Sequence, residues 1–174
     1  MLWLALSYPR LALEVFNSEY ASSGQPVVVL EKNKIVLCNT TAKNLNILPN
    51  SSLATAQAIQ EELVYFERDR LLEQKVLTSL AAELCALSSQ VSMPFEGTIL
   101  LEIGASIRLF GSVDVIEQKA IALSLAAGLE AVSGIAPTAQ AALAFSYSNK
   151  NKLSDIYLTR SGIERAGITE KTIN

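Results

Sequence analysis

Apolar and polar positions alternate in short blocks along most of this chain. Residues 2–6, LWLAL, are a continuous apolar run suited to a buried strand. Residues 11–16 read as a short helical piece, and 17–26 as a polar, turn-rich loop. Two β-prone runs, 26–30 and 35–38, flank the charged turn Glu31-Lys32-Asn33-Lys34 and predict a hairpin. Short helices follow at 40–46 and 53–59, separated by a break at 48–52. From 69 to 88, Leu72, Val76, Leu80, Leu84 and Leu87 recur at spacings of four and three, the stripe of an amphipathic helix. Leu77, Ala81 and Cys85 widen it, and Glu73, Gln74, Thr78 and Glu83 take the outer side.

The stretch TILLEIGASIRLFGS at 98–112 predicts two strands, 99–103 and 106–110, around a tight turn at Gly104-Ala105. Arg108 would alternate outward on the second strand. Ser112 is placed to cap a helix over 113–129, whose buried stripe is Val113, Ile116, Ala120, Leu123 and Ala127. Gly128 belongs near its end. A strand at 131–135 follows, and Pro137 suits the first turn of a last helix to 145. Trp3 and Phe110 are expected in the core.

This order is β-α-β-β-α-β with an insertion after the first strand. It predicts an α+β, ferredoxin-like fold. Residues 1–7 and 67–146 form its body, 8–66 the insertion, and 147–174 a polar tail. Such a sheet packs two helices on one face and leaves the other face free.

Composition narrows the chemistry. Half of the 174 residues are apolar, the net charge is −3 and the pI is about 5.1. That balance is not the footprint of a strong nucleic-acid binder. Histidine is absent, which removes the usual general base, the Ser-His-Asp and Cys-His arrangements and most zinc sites. Cys38 and Cys85 stand far apart and are expected to be buried thiols in a reducing cytosol. The apolar N-terminus is too short for a signal peptide or a membrane span. The acidic and basic run Glu61-Glu62 and Glu67-Arg68-Asp69-Arg70 reads as the solvated start of the long helix.

Three segments carry a resemblance: MLWLALSYPRLALEVF at 1–16, RLFGS at 108–112, and GIAPT at 134–138. Their order and spacing resemble the Y-family DNA polymerases, most of all the ImuB branch related to UmuC and DinB. Members of that branch are inactive homologues serving mutagenic translesion synthesis. The resemblance implies a palm with a fingers-like insertion at 8–66. Active members use carboxylates to hold two metal ions. Laid on this chain, the first-strand carboxylates fall at Ala5 and Ser7. The adjacent pair falls at Glu102-Ile103, or at Ile103-Gly104. At best Glu102 remains, and one carboxylate does not hold two divalent ions against hydration. No metal and no cofactor are therefore expected.

Other family positions diverge too. The aromatic residue that screens the sugar falls at Arg10. The Asn-aromatic-x-Ala-Arg fingers motif reads Asn39-Thr40-Thr41-Ala42-Lys43, with a point charge replacing a guanidinium fork. The late palm lysine falls near Ala139. Lys32, Lys34 and Lys43 form a weak candidate for DNA contact. The resemblance implies an error-prone replicative polymerase, a sliding clamp and a recombinase-like accessory protein as partners, a cytoplasmic location, weak DNA contact and no membrane. Two rivals remain: a weakly active polymerase fragment using Glu102, and a ferredoxin-like regulatory or protein-interaction domain.

Overall fold

The computed structural model describes residues 1–149. The strands are β1 (Trp3–Ser7), β2 (Val27–Glu31), β3 (Lys34–Cys38), β4 (Val64–Glu67), β5 (Val91–Ser92), β6 (Thr98–Glu102) and β7 (Val132–Ala136). The helices are α1 (Leu11–Glu14), α2 (Ser18–Ser22), α3 (Thr40–Asn44), α4 (Leu53–Ile59), α5 (Arg70–Leu84), α6 (Ile107–Phe110) and α7 (Val113–Ala126). A further helix, α8, runs over residues 139–149. This is a mixed α and β architecture with two separate sheets.

The larger sheet has the order β5-β6-β1-β7, and every neighbouring pair is antiparallel. Alternation along β1 sends Leu4 and Leu6 to one face and Trp3, Ala5 and Ser7 to the other. On the first face, Leu4, Leu6, Ile99 and Leu101 meet Leu77, Leu80 and Leu84 of α5 and Ile116 and Ala120 of α7 in one core. Each such aliphatic side chain contributes about 1.5–3 kcal/mol by leaving water. Asp69 and Ser112 cap α5 and α7, accepting from the N–H of Leu72 and Val115. Past the end of α7, Gly128 takes φ +78°, a left-handed conformation that suits glycine.

The smaller sheet, β3-β2-β4, carries its own core of Val28, Leu30, Ile35, Ala42, Ile47 and Ala56. β2 and β3 are antiparallel and join through Lys32 and Asn33, both with positive φ, as a two-residue hairpin requires. β4 pairs parallel to β2.

Several sequence expectations change. Residues 106–110 are not a second strand after a turn at Gly104, because Ile107–Phe110 is the helix α6. One helical turn brings Ile107 and Phe110 to the same side, and both pack against the main core. The antiparallel partner of β6 on that side is β5, which precedes it. Arg108 accordingly lies on a helix. The loop at 17–26 contains α2, and β4 is an additional strand. Cys38 is buried but Cys85 is exposed. Residues 147–149 belong to α8, and the remainder of the expected polar tail lies outside the described residues. Among the described residues no helix is long and apolar enough to cross a membrane.

Candidate functional site

The second face of the larger sheet is not free. Small side chains line it: Ala5 and Ser7 from β1, Gly134 and Ala136 from β7. Helix α8 lies directly upon them. Ala142 and Leu143 pack with Ala5, Leu100 and Ala136. A Cβ at Gly134 would collide with the backbone of Ala142 and Ser146, so only glycine admits the helix this close. Two hydroxyl contacts fix it further along. Ser7 Oγ and Ser146 Oγ lie 2.7 Å apart, and Thr98 Oγ1 and Tyr147 Oη 3.1 Å apart.

The positions singled out from the sequence can now be placed. Ala5 is 0% exposed, Ser7 2% and Ile103 0%. Ala5 pairs with Leu100 across the ladder and with Gly134 on the other side. Glu102 pairs with Trp3, so it shares this face, but its carboxylate is turned to the backbone. Oε1 accepts from Leu2 N at 3.0 Å and from Gly104 N at 3.0 Å. The Leu2 N–H holds the Glu102 carboxyl below the usual range, with the Gly104 and Ala105 N–H groups and the terminal ammonium adding. Glu102 is thus a brace between the start of β1 and the turn after β6.

The metal pair that the resemblance implies does not fit this arrangement. A divalent site needs converging anionic oxygens. Here the nearby groups are a methyl, a hydroxyl already bonded to Ser146, and a carboxylate already bonded to backbone N–H groups. Among the described residues no three His, Cys, Asp or Glu gather into a potential metal site.

A cleft of about 240 Å³ separates the two sheets, lined by Ser7, Tyr8, Val36, Leu37, Arg68, Glu73, Gly97 and Tyr147 among others. Its cation is already matched. Arg68 Nε and Nη2 meet Glu73 Oε1 and Oε2 at 2.6 and 2.7 Å, a bidentate fork. Glu73, expected on the outer side of its helix, is only 5% exposed. Glu31 and Glu96 also pair with Arg68 and Arg70. The Glu73 bond raises the Arg68 pKa, and the Arg70 bond lowers that of Glu31. The run at 67–70 is largely exposed, as expected, with Glu67, Asp69 and Arg70 in solvent, and through Arg68 and Arg70 it also cross-links β2, α5 and the loop before β6. Sequence reading missed it because Arg68 lies before the helix that supplies Glu73.

Arg10 pairs with Glu130 at 3.0 Å. Beside them Glu14, 7% exposed, accepts from Glu130 N at 3.1 Å. Burial pushes its carboxyl up to about 7, opposed by that hydrogen bond. On the helix-packed side, Tyr8 Oη lies 3.0 Å from Ser124 Oγ, and burial pushes its pKa up to about 12.

Asn39 is buried and fully engaged. Its Oδ1 accepts from Val27 N and Ala42 N, and its Nδ2 donates to the carbonyls of Tyr20 and Gln25. It organises the start of α3. Lys32 and Lys34 sit at the hairpin turn, whereas Lys43 lies beyond the opposite end of β3. All three are exposed.

The comparisons with known proteins agree with this architecture. The chain matches none of the curated proteins. Among solved structures, a Dbh ternary complex superposes with a TM-score of 0.69 at 15% identity, over 85% of this chain and 45% of that one. A post-insertion binary complex of Dbh DNA polymerase gives 0.69 at 15% identity, covering 85% and 46%. DinB from Sulfolobus solfataricus gives 0.63 at 14% identity, again covering 85% and 46%. The chain thus spans less than half the length of these proteins and shares their fold over that part. A family model, IMS, impB/mucB/samB family, matches residues 11–146, and the chain belongs to that family.

Proposed function

We propose that this chain is a non-catalytic Y-family homologue of the ImuB type, an accessory or scaffold factor in mutagenic translesion synthesis. The observation that carries the reading is the uncharged, buried state of Ala5 and Ser7 beneath α8. Restoring anionic ligands there would bury charge without a partner. Glu102 supports the same reading, since its oxygen is held by backbone donors at the start of β1.

In this reading β1, α5, β5, β6, α7 and β7 form a ferredoxin-like palm. The sheet order β5-β6-β1-β7 supports that description. The smaller sheet and its helices are a fingers-like insertion at 8–66. The Arg68 and Arg70 cluster holds it against the palm, where a nucleotide's phosphates would need free cations. The proposed partners are an error-prone replicative polymerase, a sliding clamp and a recombinase-like accessory protein in the cytoplasm, with only weak DNA contact through Lys32, Lys34 and Lys43.

The rival reading is a weak polymerase using Glu102. It draws on the DNA polymerases among the similar structures. Primer extension with manganese separates the two. The expected result is no incorporation above the blank. Template-dependent incorporation that disappears in Glu102→Ala overturns the non-catalytic reading. The accessory role is tested by bypass of a damaged template by an error-prone polymerase, which the chain should increase.

A further inference from the structure

Among the described residues, strand β7 is the outer strand of its sheet, and one of its long sides faces no other strand. The ladder fixes which backbone groups lie on that side. Ile103 N donates to Leu2 O, and Tyr8 N donates to Gly97 O. Even-numbered residues of β1 therefore turn towards β6, and Trp3, Ala5 and Ser7 turn towards β7. Their partners Ala136, Gly134 and Val132 point inward. Ser133 and Ile135 must then direct N–H and C=O away from the sheet. One contact agrees with this: Asn149 Nδ2 donates to Ser133 O at 3.1 Å, standing where the N–H of a further strand would stand. The outward N–H and C=O of Ile135 meet no backbone partner among the described residues.

A cavity of about 420 Å³ runs beside this edge. Its floor is Ser133, Gly134 and Ile135, and its two walls differ in chemistry. On the α7 side stands Glu117, whose Oε1 accepts from Ser133 Oγ at 2.6 Å. On the α8 side stand Phe145, 54% exposed, and beyond it Ser148 and Asn149. Among the described residues, Glu117 is the one ionisable residue lining the cavity.

We propose that this groove takes an extended polypeptide segment of a partner protein as an added strand, with basic residues alternating with apolar ones. The backbone edge sets the extended form, because a new strand there gains ladder hydrogen bonds with Ile135 and replaces the Asn149 side-chain amide on Ser133 O with its own N–H. Side chains of such a strand point alternately to the two faces. One set meets Glu117, which favours lysine or arginine. The other meets the ring of Phe145, which favours a branched apolar residue. The site is one strand away from Ala5 and Ser7 and does not depend on whether the chain has catalytic activity.

The test is a nitrogen-15 NMR titration of the whole chain with a blocked octapeptide of alternating lysine and valine. Two further probes accompany it: the same peptide N-methylated at its four central residues, and a version with glutamate for lysine. The expected result is saturable shifts concentrated at Ser133, Ile135, Glu117 and Phe145, with both control peptides weaker by at least about tenfold. Glu117→Lys reverses the preference between the lysine and glutamate peptides. Ile135→Pro removes the edge N–H at a position where an edge strand tolerates proline, and binding falls to the level of the N-methylated probe. The absence of saturable shifts, shifts centred elsewhere, or equal binding of the N-methylated peptide, which keeps every charge, overturns the proposal. The peptide-based arms do not depend on how well the variants fold.

Discussion

The two faces of the four-stranded sheet are built on different principles. One is filled with leucine and isoleucine from β1 and β6 against α5 and α7. The other is lined with Ala5, Ser7, Gly134 and Ala136 and takes a helix almost at backbone contact. Each also holds paired hydroxyls, Tyr8 with Ser124 on the first face, and Ser7 with Ser146 and Thr98 with Tyr147 on the second. The difference teaches that absent carboxylates need not leave a gap. In the proposed reading, the positions that would face metal ions are part of a packed interface.

The largest effect should come from Gly134→Val. Its side chain would enter the backbone of α8 at Ala142 and Ser146. The expected cost is about 4 kcal/mol or more, or detachment of α8, read by denaturant melts with hydrogen exchange on residues 139–149. On the opposite face, Leu80→Ala removes volume from a site only 1% exposed. It should cost about 2–5 kcal/mol and leave α8 protected, showing that the two faces fail separately.

Glu14 lies outside both faces and gives the comparison its pH control. Its folded pKa of about 7 stands above the ordinary 4.5. Stability relative to the unfolded chain is therefore highest below about pH 4.5 from this group, and is lost as pH rises through about 7. The loss is at most about 3 kcal/mol. Glu14→Gln should flatten the curve between those limits, as followed by urea melts across pH. The smallest effects should come from the hydroxyl pairs. Ser7→Ala and Tyr8→Phe should each cost about 0.5–1.5 kcal/mol, measured in parallel melts.

Much of this fold is legible in the sequence where the period is long or the turn chemistry is strong. The bounds of α4, the cap at Ser112, the β2–β3 hairpin and the stripe of α5 all follow from local pattern. Residues 106–110 mislead because five residues that alternate polar and apolar also fit one helical turn. The parallel pairing of β4 and the two-residue β5 depend on distant partners, and no local periodicity marks them. The ion cluster around Arg68 is hidden for the same reason. The small residues at alternate positions of β1 and β7 were a readable signal. Read only as lost ligands, Ala5 and Ser7 suggest an open face, whereas read with Gly134 they announce a close-packed helix.

In the proposed reading, this face offers no home to divalent ions. The most direct measurement is paramagnetic NMR with manganese titrated into the whole chain. The amides of Ala5, Ser7, Leu100 and Glu102 should show no selective broadening beyond that of exposed acidic residues such as Glu61 and Glu62. Selective, saturable broadening centred on β1 and β6, abolished by Glu102→Ala, would contradict it.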